Sequence, residues 1–340
     1  MKKIAIVAPM SANGVTGGAE ALYKGICNAF IKRGYDASLV EIVFDESSFD
    51  SIMGGYEEFR NLDLTKYDAV ISTKAPSYNI KHHNHICYLV HTIRVFYDMY
   101  TQELDDVAEN RKKRKEIIDL DTSIFNQINT IFTIGYEISN RLMFYNSIYH
   151  SKVIHPPLLD DAFYTSSYEN FAYIPSRLHR WKKLDFLINS WRYVKSDLKL
   201  YIAGSGEDEG YFQSLSKDDS RIQLLGNIND VESKHYYSRC LFVPFVPKSE
   251  DYGYVTIEAF KSKKMVVTCE DSGEPTNIVV NGKTGYILPR KESEFANRLD
   301  EIIMDKEKII QCGEQGYKTV ESINWDNLVY QFTKRFGFEK

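Results

Sequence analysis

Short apolar runs alternate along this chain with stretches whose apolar residues recur at helical spacing. KKIAIVAP is a strand-like run that leads into the glycine-containing segment SANGVTGGAE. From about Ala19 to Lys32 the residues Leu22, Ile26, Ala29 and Phe30 share one helical face, and Gly34 closes the pattern. DASLVEIVF, YDAVISTKA, HICYLVHT and INTIFTIGY predict further strands with helical segments between them. Strands that alternate with helices predict an α/β fold with a parallel sheet covered on both faces.

The rhythm breaks at HSKVIHPPLLDDAF, where Pro156-Pro157 suits neither element type, and a domain boundary is expected there. It then restarts. NFAYIPSRL, LKLYIAGSGED, IQLLGNI, LFVPFVP and MVVTCE predict strands, and LDFLINSWRYV, DVESKHYYSRC and GYVTIEAFKS predict helices between them. ESEFANRLDEIIMD and DNLVYQFTKRF read as amphipathic helices. The expectation is two α/β domains in tandem, 1–155 and 156–320, with a ligand cleft between them at the carboxyl ends of the strands.

Composition narrows the classes. The chain has 340 residues, 43% of them apolar and 26% charged, as expected of a globular protein with a substantial core. A net charge of -5 supplies no basic excess for general nucleic-acid binding. The cysteines Cys27, Cys87, Cys240, Cys269 and Cys312 form no C-x-x-C pair, so neither a zinc site nor a disulfide framework is expected, and their odd number fits a reducing cytoplasm. No apolar run approaches the roughly 18 residues of a membrane span.

Three segments could carry chemistry. Gly14, Gly17 and Gly18 stand between the first strand and the first helix, where glycine lets backbone approach a ligand and the helix start offers N–H groups to an anion. Their spacing matches neither the dinucleotide fingerprint nor the nucleotide-hydrolase P-loop. In SRLHRWKKLDFLI, Arg177 and Lys182 lie five apart in a strand-to-helix connection, where two cations suit a departing diphosphate or simply face solvent beside Arg180 and Lys183. In KSEDYGYVTIEAF, Glu250 precedes the helix expected to begin near Gly253, and Glu258 lies about a turn and a half inside it. Ionised carboxylates only accept hydrogen bonds, so sugar and ribose hydroxyls are natural donors to them; two acids at a helix end are the plainer alternative.

Taken in order, Arg177 and Lys182, AGSGED, LLGNIND, the pair Glu250 and Glu258, SGEP and NGKTGYIL resemble the nucleotide-sugar-dependent glycosyltransferases of family 4, which have the GT-B fold of two Rossmann-like domains. Glu250, Asp251, Tyr252, Gly253, Glu258 and Ala259 resemble the subgroup that writes this motif E-D-F-G with a following E-A. Gly17, Gly18, Ala19 and Glu20 stand where the family has its G-G-A-E loop, and His91 where a strand ends in histidine. The resemblance implies a retaining, metal-independent transfer of a sugar from a nucleoside diphosphate sugar to a glycan or lipid-linked acceptor hydroxyl, in surface polysaccharide or glycolipid assembly. No cofactor is implied beyond the GDP- or UDP-sugar co-substrate. Arg177 and Lys182 would bind the diphosphate, Glu250 the donor sugar and Glu258 the ribose, with His91 near the reacting sugar. Gly17 and Gly18 would lie against the phosphates and acceptor, while Gly226, Asn227 and Ile228 frame the base. Gly253, Tyr254 and Val255 would add the start of the helix that carries Glu258. Residues 321–340 would form a helix packed back on the first domain. The chain departs from the family at Asn227, where a basic residue is frequent, and at Gly273, Glu274 and Asn277, where many members have Gly-Gly and then glutamate.

Other candidates compete. Asp119-Leu120-Asp121 matches a metal-binding D-x-D string but follows a charged helical run rather than a strand. His82, His83 and His85 could ligate a metal, although no acid or thiol is adjacent. Arg111–Lys115 reads as a solvated helical face or as a peripheral contact with anionic lipid on the inner face of a membrane. Rival functions are a nucleotide-sugar epimerase of the same architecture and a non-catalytic sugar-nucleotide-binding subunit.

Overall fold

The structure, a computed structural model, describes residues 1–11 and 18–338. Gly14 and Gly17 therefore lie outside the described residues. The chain divides into two units, one of Met1–Leu159 with Ile323–Lys340, the other of Asp160–Ser322.

The first unit is built on six parallel strands: β1 (Lys3–Ser11), β2 (Asp36–Phe44), β3 (Ala69–Ser72), β4 (His85–Leu89), β5 (Ile131–Thr133) and β6 (Lys152–Val153). Their order is β2-β1-β3-β4-β5-β6. Interior strands of such a sheet are buried on both faces, which is why Ile4 to Ala8 form an unbroken, fully buried apolar run. One core cluster joins Ala5, Val7 and Val70 to Phe59 and Leu64. The sequence pattern did not anticipate β6, whose two residues are too few to show any alternation.

The last helix, Trp325–Phe336, belongs to this unit. Asn324 caps it by accepting from the Asn327 N–H at 2.8 Å. Phe332 reaches the rings of Phe30, Tyr88 and Phe132 at 6.4, 5.1 and 5.5 Å. Trp325 donates Nε1–H to the Leu158 carbonyl at 2.9 Å and fills the space beside Gly25, where a Cβ would lie 2.4 Å from its ring.

The second unit repeats the plan with β7 (Phe171–Pro175), β8 (Lys199–Ala203), β9 (Ile222–Gly226), β10 (Phe242–Pro244), β11 (Met265–Cys269) and β12 (Gly285–Leu288). The strands are parallel and ordered β12-β11-β10-β7-β8-β9. Several elements escape the sequence pattern, among them the short helices Glu209–Ser216 and Glu274–Ile278. β12 follows a turn rich in Gly and Asn, and the helix Lys306–Thr319 contains two glycines that weaken its helical signal. The structure supplies their reason. A Cβ on Gly313 would lie 2.1 Å from the Lys263 carbonyl oxygen, and one on Gly316 would lie 2.3 Å from the Phe260 ring.

Candidate functional site

Beyond the carboxyl ends of β7, β8 and β9 lies a pocket of about 450 Å³ within the second unit. Its lining includes Arg177, Asn227, Ile228, Val255 and Glu258, all marked by the sequence. It also includes Gly204, Ser205 and Asp230, from the quoted AGSGED and LLGNIND segments, and Tyr173 and Ser233, which were not marked. Tyr173 is a buried strand tyrosine in the sequence pattern, and at the pocket wall its hydroxyl lies 2.8 Å from that of Ser233.

The glycines of AGSGED explain how two loops meet here. Gly204 has φ +133, and a Cβ there would lie 2.0 Å from the Ser176 carbonyl oxygen. Gly206 is as tight, 2.4 Å from the Leu178 carbonyl oxygen. Backbone therefore lies on backbone, with Leu178 N–H donating to Ser205 O at 2.9 Å and Asp208 N–H to Leu178 O at 3.0 Å. Asp208 also accepts from the Arg180 N–H at 2.7 Å. This joint carries an exposed Arg177–Glu207 pair, in which Nε donates to Oε2 at 3.2 Å and Nη2 to Oε1. Glu207 is held below the usual carboxylate range by its own backbone N–H and by Arg177.

Lys182 and Glu250 form an ion pair of 2.7 Å, Nζ to Oε2, in which both side chains are less than one-third exposed. The loop carrying Glu250 is locked against the S-G-E-P turn. Glu250 N–H donates to Ser272 O at 3.0 Å, and Glu274 N–H donates back to Glu250 O at 2.9 Å. Gly273 makes this approach possible, because a Cβ there would stand 2.5 Å from both Glu250 N and O. The departure at Asn277 also has a local account: its amide donates to the buried Glu274 carboxylate at 3.2 Å.

The helix Tyr254–Lys261 begins after Gly253, whose φ is +79 and whose missing Cβ makes room for the Phe245 ring. Glu258 accepts from the Tyr237 hydroxyl at 2.7 Å. Burial pushes the Glu258 carboxyl up, against the Tyr237 hydrogen bond that favours its ionised form.

Not every predicted residue joins this pocket. Lys182, Glu250, Gly226, Gly253 and Tyr254 are not part of its lining; Gly226 ends β9 with φ +69, and Tyr254 packs edge-on against Tyr252 at 4.9 Å. Gly18 and His91 belong to the first unit. Gly18 opens the helix Gly18–Lys32, and His91 follows β4 with Nδ1 2.9 Å from the Thr92 carbonyl. That unit has its own pocket of about 380 Å³ at the ends of β1 and β2, lined by Ser11, Asp45, Glu46 and Lys74 among others.

The residues of the competing motifs also find partners within the first unit. Asp119 is exposed and pairs with Lys115, whereas Asp121 is fully buried and accepts from the hydroxyls of Tyr56, Tyr78 and Tyr97 at 2.6, 2.6 and 2.7 Å. His85 starts β4 beside the Ser72 hydroxyl at 2.8 Å, and burial lowers its pKa to about 3. Among the described residues no group of three or more His, Cys, Asp or Glu is placed to hold a metal ion. In the basic run Arg111 pairs with Asp106 and Lys113 with Glu109, while Arg114 stacks over the Tyr100 ring at 4.5 Å. No helix among the described residues is long and apolar enough to cross a membrane.

Two parallel α/β units of this kind, each with six strands, define the GT-B fold. Residues 161–319 match the family model of the glycosyl transferases group 1. The chain is 24% identical over 200 residues to the alpha-1,3/1,6-mannosyltransferase ALG2 of Dictyostelium discoideum, which covers 52% of this chain and 46% of that protein. It thus spans about half the length of the curated relatives it matches. Among solved structures it is similar to a sucrose-phosphate synthase from Thermosynechococcus elongatus, with TM-score 0.78, 14% identity and 99% of each chain covered. It is also similar to HepE from Anabaena in complex with UDP and glucose, with TM-score 0.73, 14% identity and all of each chain covered.

Proposed function

We propose that the protein is a retaining glycosyltransferase that moves a sugar from a nucleoside diphosphate sugar to a hydroxyl of a glycan or lipid-linked acceptor. One observation carries this reading: Arg177, Asn227, Ile228 and Glu258 converge on one pocket, at the strand ends of a unit that also holds Lys182 against Glu250. Arg177 and Lys182 stabilise the charge that grows on the departing diphosphate. Glu250 accepts from donor-sugar hydroxyls and Glu258 from the ribose, while Asn227 and Ile228 border the base. Because side chains supply the positive charge, the transfer proceeds without a metal ion, and the nucleotide sugar is its only co-substrate. His91 acts near the reacting sugar and Gly18 against the phosphates and the acceptor, in surface polysaccharide or glycolipid assembly at the cytoplasmic face of a membrane. A mannosyltransferase among the relatives and UDP in a structural neighbour point to GDP- and UDP-sugars as the first donors to try.

The test is a thermal-shift and slow-hydrolysis screen against UDP-, GDP-, ADP-, dTDP- and CMP-sugars without added metal. Ligands that bind the native state raise its apparent stability. The expected result is a raised Tm with one nucleotide class, with slow release of its nucleoside diphosphate that a chelator does not suppress. Conversion of the donor without release would identify an epimerase, binding without turnover a non-catalytic subunit, and no shift with any donor would overturn the site.

A further inference from the structure

Arg290 follows β12, far in sequence from every residue of the proposed donor site, yet its guanidinium ties together the two loops that hold Glu250. Nε donates to Asp271 Oδ1 at 2.6 Å, Nη1 to the Val246 carbonyl at 3.0 Å and Nη2 to the Pro247 carbonyl at 2.5 Å. The side chain is only 17% exposed, and its guanidinium lies 5.0 Å from the Phe186 ring centroid. Val246 and Pro247 lead directly into the Glu250 loop. Asp271 opens the turn that pairs with that loop: Ser249 N–H donates to Asp271 O at 2.9 Å, and Glu250 N–H to Ser272 O.

The loop needs such restraint. Ser249, next to Glu250, has φ +48, a left-handed conformation that costs a non-glycine residue and persists only where its surroundings impose it. A planar guanidinium with donors in fixed directions can satisfy three acceptors on two loops at once, which a lysine ammonium on a flexible stem does poorly. We propose that Arg290 is a positioning residue for Glu250: by fixing residues 246–247 to Asp271 it sets where the Glu250 carboxylate meets Lys182 and the donor sugar. This rests on the reading of Glu250 as the acceptor for donor-sugar hydroxyls.

The test compares Kd for two ligand pairs, GDP with GDP-mannose and UDP with UDP-glucose, in the wild type and in Arg290→Ala, Arg290→Lys, Glu250→Ala and the Glu250→Ala/Arg290→Ala double variant. Arg290→Ala should leave the affinity for the nucleoside diphosphate within about twofold. It should abolish most of the added affinity for the sugar nucleotide, to the level of Glu250→Ala, with Arg290→Lys intermediate and the double variant no worse than Glu250→Ala. Equal losses for both members of a pair, or additive losses in the double variant, would mean a general structural role and overturn the inference. If Glu250→Ala itself keeps the sugar preference, or if the wild type binds neither pair, the functional reading fails and takes this inference with it. Hydrogen–deuterium exchange on the unliganded protein gives an independent reading. Arg290→Lys should speed exchange at residues 247–252 and 271–274 and leave β7 and β8 unchanged; unchanged exchange in the two loops sinks the proposal.

Discussion

Asp121 in the first unit, fully buried, and Glu258 in the second, partly buried, are both carboxylates on helices, and both accept from buried tyrosines. Burial raises the pKa of each. They differ in what surrounds the rest of the carboxylate. Asp121 has both oxygens taken by tyrosine hydroxyls and is fully buried, whereas Glu258 accepts from Tyr237 through Oε2 and also lines a pocket. An ionised carboxylate has about four acceptor positions, so one with three taken and no solvent access becomes packing, and one with capacity left beside a pocket becomes a ligand contact. The tyrosines around a buried acid thus separate a structural role from a binding role better than the acid itself does.

The largest effect expected lies just outside this pair, where charge is paired rather than buried. Lys182→Ala should lower turnover by about 10²–10³-fold, as removal of a preorganised stabilising group does elsewhere, with the Tm little changed. Steady-state kinetics with the matched donor checks it, and a variant with full turnover removes Lys182 from the chemistry. Asp121→Ala should do the reverse. It removes the shared acceptor of three buried hydroxyls. Only Tyr56 and Tyr78 lie close enough to bond each other, at 3.1 Å, so two are left short of an acceptor. The cost is roughly 3 kcal/mol or more in denaturant unfolding, while donor affinity stays at the wild-type value. Glu258→Gln preserves an acceptor for Tyr237, so stability should hold within about 1 kcal/mol while nucleoside diphosphate affinity falls on the order of tenfold. Titration calorimetry against the nucleotide decides that case.

The smallest effect concerns pH. Asp121 titrates at about 6 in the fold against an ordinary 3.8, because burial disfavours its charge. The folded state therefore binds this proton more tightly than the unfolded chain does. The resulting stabilisation is complete below about pH 4 and fades as pH rises through 6. The Tm advantage of the wild type over Asp121→Asn should shrink between pH 4 and 7, and a constant gap would remove Asp121 from the pH response.

Most of the fold was legible because buried strands announce themselves as apolar runs: the expected strands at KKIAIVAP and MVVTCE are β1 and β11. Three of the misses share a cause, since β6, β12 and Lys306–Thr319 are specified by neighbours rather than by their own pattern; Glu209–Ser216 and Glu274–Ile278 are too short to show a helical period. The candidate site divides along the same line. Arg177 and Glu258 could be marked because the order and spacing of charged residues survive in the sequence, and Asn227, Ile228 and Val255 through the family resemblance alone. Tyr173, Ser233 and Tyr237 could not, because a tyrosine on a buried strand or helix has the same periodicity whether its hydroxyl serves a pocket or only the core. Arg290 was equally hidden, since two of its three partners are backbone carbonyls some forty residues upstream.

The two glycines of Lys306–Thr319 bear on how this protein can be stabilised by design. Exchanging a helical glycine for alanine is a routine gain of roughly 0.5–1 kcal/mol, because alanine has less chain freedom to lose. At Gly313 and Gly316 that exchange should backfire, since the added methyl would drive a neighbouring backbone and an aromatic ring away. Gly54, in the helix Phe49–Arg60, and Gly210, in Glu209–Ser216, open onto empty space and should accept it. A consensus engineer who treats the four glycines alike would see two gains cancelled by two losses. Melting curves of the four single alanine variants would show which helix is free to be improved and which is already committed to its neighbours.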